Sequence, residues 1–188
     1  MIPAFTSDGL LPPTSGSRVL PAELSPHATH IVDFIERFGG TLHRRQLLRG
    51  FLRYRRELWE FGLRDGFQWI DGSFVEDSEA TRGQPPADLD VVTFAPLLAS
   101  RPCREQLFDA LSEKTSLFSS HGVRSTFGCD AYFVDTTMPP MQLISHASYW
   151  LGLFGHQRDT NTWKGILRID LGDDGDMLEQ LEAKDDTH

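Results

Sequence analysis

Hydrophobic positions along the chain follow two periods. Ile31, Phe34, Ile35 and Phe38 recur at spacings of three and four, which predicts a helix with one apolar face. Ser25-Pro26 reads as its start and Gly39-Gly40 as its stop. Leu47, Phe51, Tyr54, Leu58 and Phe61 carry the same period through a longer helix, from about Leu42 to Leu63. Phe67 to Asp71 and Leu89 to Phe94 are short, apolar and rich in aromatic or β-branched residues, and predict strands. Between them Phe74 to Thr81 begins as a helical turn, before Gly83, Pro85 and Pro86 impose a loop. Pro102 opens a further helix with Leu107, Phe108 and Leu111 inward and an end near Phe118. Val123 to Phe127 and Ala131 to Val134 predict strands separated by a turn or bulge at Gly128. Pro139-Pro140 precedes a helix carrying Leu143, Ala147, Trp150 and Phe154, and Lys164 to Leu171 alternates as a last strand. Strands interleaved with helices predict an α/β or α+β domain.

The pattern divides the chain into three parts. Residues 1–24 are rich in Pro, Gly and Ser and predict an extended arm, whose leucines are available to pack on the body. Residues 25–171 form the domain, and residues 172–188 predict an acidic, flexible tail with at most a weak helix around Met177 to Leu181. Charge sharpens this division. The tail holds seven acids against one lysine, so it carries −6 of the net −9, and the body is nearly balanced. A body without a basic surplus lacks the usual footprint of a phosphate-backbone binder. Cys103 and Cys129 fit no metal-ligand spacing and no disulfide framework, which favours a reduced, cytoplasmic setting. No signal peptide is read at the N-terminus, and no apolar stretch approaches the roughly 20 residues that span a bilayer.

The stretch Trp69 to Phe94 concentrates the chemistry. Gly72-Ser73 ends one predicted strand, and Asp88-Leu89-Asp90 opens the next, about fifteen residues on. Residues two apart on a strand share a face, so Asp88 and Asp90 can reach one metal centre while Leu89 points to the opposite layer. Carboxylate oxygens suit Mg²⁺ or Mn²⁺ bound together with substrate phosphates. A third acid from another strand completes such a site. Asp130 is the first candidate, also suited to accept the acceptor's proton, and Asp135 is the second. Gly72 lets backbone approach a phosphate, and the Ser73 hydroxyl can donate to it.

Other polar residues carry two readings. Arg158 and Lys164, flanking a loop that holds Gly155-His156-Gln157, are either β/γ-phosphate ligands or ordinary surface-loop cations. Arg44, Arg45, Arg49, Arg53, Arg55 and Arg56 read first as a solvated helix face and second as cations approaching phosphate or nucleic acid. Asp71 reads as a brace for the Gly72-Ser73 turn before it reads as a metal ligand. The large aromatics read as core, with Phe74 near enough to the turn to contact a nucleotide.

Gly72-Ser73 followed by Asp88-Leu89-Asp90-Val91 resembles the signature of the DNA polymerase beta-like nucleotidyltransferase superfamily. Trp69-Ile70-Asp71-Gly72-Ser73-Phe74-Val75, the arginine-rich helix before it and Phe154-Gly155-His156-Gln157-Arg158 after it look like a poorly characterised bacterial family of nucleotidyltransferase-like domains. The resemblance spans about residues 10 to 171. It implies a small mixed β-sheet with helices packed on it, Gly72 and Ser73 at the phosphates, and Asp88, Asp90 and Asp130 as catalytic metal ligands. The implied activity is transfer of an NMP from an NTP to a hydroxyl on protein, RNA or a small molecule. The alternative is a catalytically weak or inactive nucleotidyltransferase-like binding module acting with a partner protein encoded nearby, as in toxin–antitoxin or phage-defence pairs. The connection between Ser73 and Asp88 is longer here than in that signature.

Overall fold

The computed structural model describes residues 2–16, 20–100, 103–158 and 160–185. Among these residues, five strands form one mixed sheet in the order β1-β5-β2-β3-β4. They are β1 (His27–Thr29), β2 (Phe67–Asp71), β3 (Leu89–Ala95), β4 (Cys129–Asp135) and β5 (Leu167–Asp170). β2 runs antiparallel to both β3 and β5, whereas β3–β4 and β1–β5 are parallel pairs. The mixed α/β expectation therefore holds, and β2 and β3 lie where their apolar, aromatic and β-branched runs placed them.

The two-residue period sorts the sheet into two faces. Ile70, Leu89, Val91, Ala131, Leu167 and Ile169 belong to the larger core, together with α1 (Ile31–Phe38) and α2 (Leu42–Phe61). On the other face Val92, Phe94 and Val134 join Trp150 and Phe154 of α6 (Pro140–Phe154) and Ile166 in a smaller core. The remaining helices are α3 (Ser78–Arg82), α4 (Arg104–Glu113), α5 (Ser120–Phe127) and α7 (Gly175–Asp185). Pro102 lies outside the described residues, and the helix expected to open there begins at Arg104. Among the described residues, no helix is long and apolar enough to cross a membrane.

Several expectations are corrected. Ser25-Pro26, joined by a cis peptide bond, leads into β1 rather than a helix. Ser25 Oγ accepts a hydrogen bond from Ile166 N–H at 2.7 Å, and β1 then pairs with β5, so α1 starts only at Ile31. Val123 to Phe127 is the end of helix α5, not a strand. Ser119 caps this helix by accepting the Gly122 N–H at 3.1 Å, and Gly128, at φ +69°, ends it. The arm's Leu10 and Leu11 are buried, as its leucines allowed. The tail, expected to be solvated, instead forms α7 with Leu178 and Leu181 buried among core residues.

The arginines of α2 do not form a uniform solvated face. Arg55 is fully buried: it donates to Gln68 Oε1 (2.7 Å) and the Asp170 carbonyl (2.8 Å) and pairs with Asp174. Gln68 in turn donates to Thr93 Oγ1 at 2.9 Å, so one polar chain ties α2, the sheet and the start of α7 together. Arg53 reaches Glu182 on α7 at 2.6 Å.

Docking of α7 is testable in stability alone. Leu181→Ala should cost about 2–5 kcal/mol in urea unfolding, the usual range for a buried leucine, whereas a solvated tail would give a change near zero.

Candidate functional site

Strand register gathers the acids. Asp71 of β2 pairs with Asp90 of β3, and Asp90 pairs with Asp130 of β4. Paired residues on neighbouring strands point to the same face, so three carboxylates stand in a row on the face that α6 covers only in part. Asp88, two residues before Asp90, adds a fourth. Its loop is held by His43 of α2, whose Nε2 lies 2.7 Å from the buried Pro86 carbonyl. Asp135 sits at the far end of β4, beside Ala95, and caps the next turn by accepting from Leu97 N–H and Thr137 N–H. Of the two candidate third acids, Asp130 is the one placed beside Asp90.

Gly72 abuts this row. At φ +76°, ψ −167° it occupies a conformation open to glycine, and a Cβ there would stand 1.7 Å from Asp90 Oδ2. Ser73–Val75 then forms a single 3-10 turn. Although the Ser73–Asp88 connection is long, α3 takes up part of it, and the Asp71–Asp90 pairing still returns the turn to the acids.

A buried ionic network lies beneath the turn. Lys164 contacts Glu76 at 2.6 Å and Asp71 at 3.0 Å, and Arg82 reaches Glu76 at 2.8 Å. Burial opposes the Lys164 ammonium, but the two carboxylates outweigh that effect and hold its pKa above the ordinary value. One ammonium does not neutralise two buried acids: burial pushes Asp71 up to about 7, against the pull of Lys164 and the Gly72 N–H. Arg44, also buried, donates to the carbonyls of Phe74 (2.7 Å) and Glu76 (2.9 Å). It also forms a fork with Glu79 at 2.6–2.7 Å, holding that carboxyl down at about 2. Phe74 is buried with Phe34 and Phe38 in the core and does not line the cleft beside the turn.

These elements surround a cleft of about 800 Å³. Asp71, Asp88, Asp90 and Asp130 line it together with Gly72, Ser73, Arg82, Arg124, Arg158 and Lys164, and Tyr132, Trp150 and Phe154 supply an aromatic wall. All seven residues proposed from the sequence for catalysis or nucleotide binding therefore line one cavity. Arg158 is exposed there and slightly opposes the rise that burial imposes on the Asp90 pKa, whereas Lys164 is buried in ion pairs rather than standing in a surface loop.

Sequence reasoning missed Arg124. It pairs with Asp88 and lies 3.9 Å from Asp130. Its signal was hidden because residues 123–127 read as a strand. Glu76 was also missed, since nothing in its neighbourhood announces burial.

As the side chains stand, no three His, Cys, Asp or Glu groups among the described residues are gathered tightly enough to hold an ion. The donor chemistry does fit: the acids are hard oxygen ligands, and burial together with Asp88 and Asp130 pushes Asp90 up to about 6. A cation would relieve that crowding.

The fold is thus a mixed α/β domain with an acid-floored cleft. Over residues 3–170 the chain matches DUF6932, a family of unknown function, and it belongs to that family. No curated protein and no solved structure matches it.

Two outcomes follow from this geometry. Gly72→Ala should destabilise the protein by about 2 kcal/mol or more, because φ and the Asp90 contact both oppose a Cβ. Asp90 carries an ionisation penalty that is absent below its ordinary pKa of 3.8 and complete above about 6. In chelator, Asp90→Asn should therefore raise the melting temperature more at about pH 8 than at about pH 5, and an equal gain at both would count against the crowding.

Proposed function

We propose that this protein is a metal-dependent nucleotidyltransferase that moves an NMP from an NTP to an acceptor hydroxyl on protein, RNA or a small molecule. The observation that carries the reading is the register row Asp71–Asp90–Asp130 with Gly72 pressed against Asp90. Asp88, Asp90 and Asp130 would hold Mg²⁺ or Mn²⁺. When bound, the ion supplies neutralisation of charge on the phosphates and alignment of the attacking and leaving oxygens.

The chain's own groups have separable roles in this reading. Gly72 and Ser73 present backbone and hydroxyl to the phosphates, and Arg158 faces them from the opposite loop. Lys164 acts from beneath, holding Asp71 and Glu76 and so the turn. Asp130, half-buried at the cleft edge, accepts the acceptor's proton. Tyr132, 39 % exposed and packed on Trp150 at 4.7 Å, offers a surface for the base or the acceptor. A reduced, cytoplasmic setting agrees with the free thiols of Cys103 and Cys129.

A second reading is a nucleotidyltransferase-like binding module without turnover, paired with a protein partner as in toxin–antitoxin or phage-defence systems. Arg124 on Asp88 and Lys164 engaged internally favour it, since both cations are committed to the acids.

Thermal unfolding with each NTP separates these readings from a plain scaffold. With Mg²⁺ and an NTP at about a hundred times Kd, the midpoint should rise by roughly 5–10 °C, and Asp88→Ala/Asp90→Ala should abolish the rise. No rise with any NTP would defeat both nucleotide readings. With labelled NTP and cell extract, Asp130→Ala should end label transfer, whereas Asp135→Ala should retain it; no transfer by wild type would leave the binding module.

A further inference from the structure

The acids of the cleft already have a counter-ion, and it is the more exposed partner. The side chains of Asp88 and Asp130 are only 17 % and 22 % exposed, whereas that of Arg124, which faces both, is 57 % exposed. Two largely desolvated carboxylates on one face need a neighbouring cation. Arg158 and Lys164 act on Asp90, leaving Arg124 as the cation in contact with Asp88.

The backbone under Arg124 is fixed. Ser119 caps α5, Val123 is buried, and α2 presses so closely that a Cβ on Gly50 would lie 1.9 Å from the Phe127 carbonyl. Movement of the guanidinium therefore requires side-chain rotation alone. Its planar fork suits phosphate as well as carboxylate, and it lines the same cleft as Gly72 and Ser73.

We propose that Arg124 is an exchangeable cation, held on Asp88 and Asp130 until a divalent ion displaces it and thereafter turned to the polyphosphate of the incoming nucleotide. This rests on the nucleotidyltransferase reading of the cleft. It makes Arg124 a competitor of the metal and a ligand of the substrate. By reciprocity, a polyphosphate that draws Arg124 away must tighten metal binding.

The test is Mn²⁺ binding followed by electron paramagnetic resonance, with and without inorganic tripolyphosphate at a concentration corrected for Mn²⁺ chelation in solution. The proteins are wild type, Arg124→Ala, Arg124→Lys and Asp90→Asn, each checked for folding by its melting temperature. Arg56→Ala removes a cation from α2, where Arg56 pairs with Glu60, and controls for net charge. Without tripolyphosphate, Arg124→Ala should bind Mn²⁺ about three- to tenfold more tightly than wild type, while Arg124→Lys and Arg56→Ala stay close to wild type. Tripolyphosphate should tighten Mn²⁺ binding by every variant that keeps the acids, and by wild type at least about threefold more than by Arg124→Ala; an equal gain in the two would overturn the exchange.

Mn²⁺ binding that Asp90→Asn abolishes but Arg124→Ala leaves unchanged or weakens would overturn the exchange and spare the site. An equal gain in Arg56→Ala would also overturn it, by reducing the effect to net charge. Absence of Mn²⁺ binding in every variant would remove the site reading and the exchange together.

Discussion

Like charge held at close quarters is the constraint around which this structure is arranged. The pairing of β2 with β3 and of β3 with β4 leaves Asp71, Asp90 and Asp130 no option but to stand abreast. Carboxylates so placed repel one another, and burial increases the cost. The elevated pKa values of Asp71 and Asp90 express burial first and the neighbouring carboxylates second. Asp71 offsets part of its own cost by balancing the buried Lys164 ammonium, so the row is at once a burden and part of an ion-pair network.

The surrounding fold compensates from below. Lys164, brought in just before β5, lies between Asp71 and Glu76, and Arg82 shares Glu76. Arg44 reaches from α2 to the carbonyls of Phe74 and Glu76, so the loop after Gly72 is tied to the longest helix. Rigidity at the turn therefore comes from buried charge pairs rather than from a long regular element. Gly72 completes the arrangement, because Asp90 fits against it only when no side chain is present.

The fold was legible in the sequence wherever periodicity was local. Phe67–Asp71 and Leu89–Ala95 are strands because apolar and β-branched residues sit on a sheet buried on both faces there, and no alternative partner competes. Residues 123–127 misled because Val123 and Thr126 suggest a strand, whereas the Ser119 cap and the αL glycine at 128 decide for a helix. That error concealed Arg124. The tail misled for a related reason: its acids suggest solvation, yet Asp174 and Glu182 pair with arginines of α2, and Leu178 and Leu181 are covered. Burial of Arg44, Arg55 and Lys164 was invisible because it depends on partners 30 or more residues away, such as Glu79, Asp174 and Glu76. The acids of the site were legible, since their spacing and strand boundaries are sequence properties; their shared row required the register.

The arm gives the cleft a dependence on a distant part of the chain. The Gly9 carbonyl accepts the Asp77 N–H at 2.9 Å, next to Glu76, and the Leu11 carbonyl accepts the Gly165 N–H at 2.7 Å, next to Lys164. Two main-chain bonds thus splint the two sides of the acid–lysine lock from behind. Cleavage or displacement of residues 9–12 would slacken that lock without touching any group that lines the cavity. Residues 2–12, which hold no helix or strand, are therefore fastened to a highly charged part of the interior.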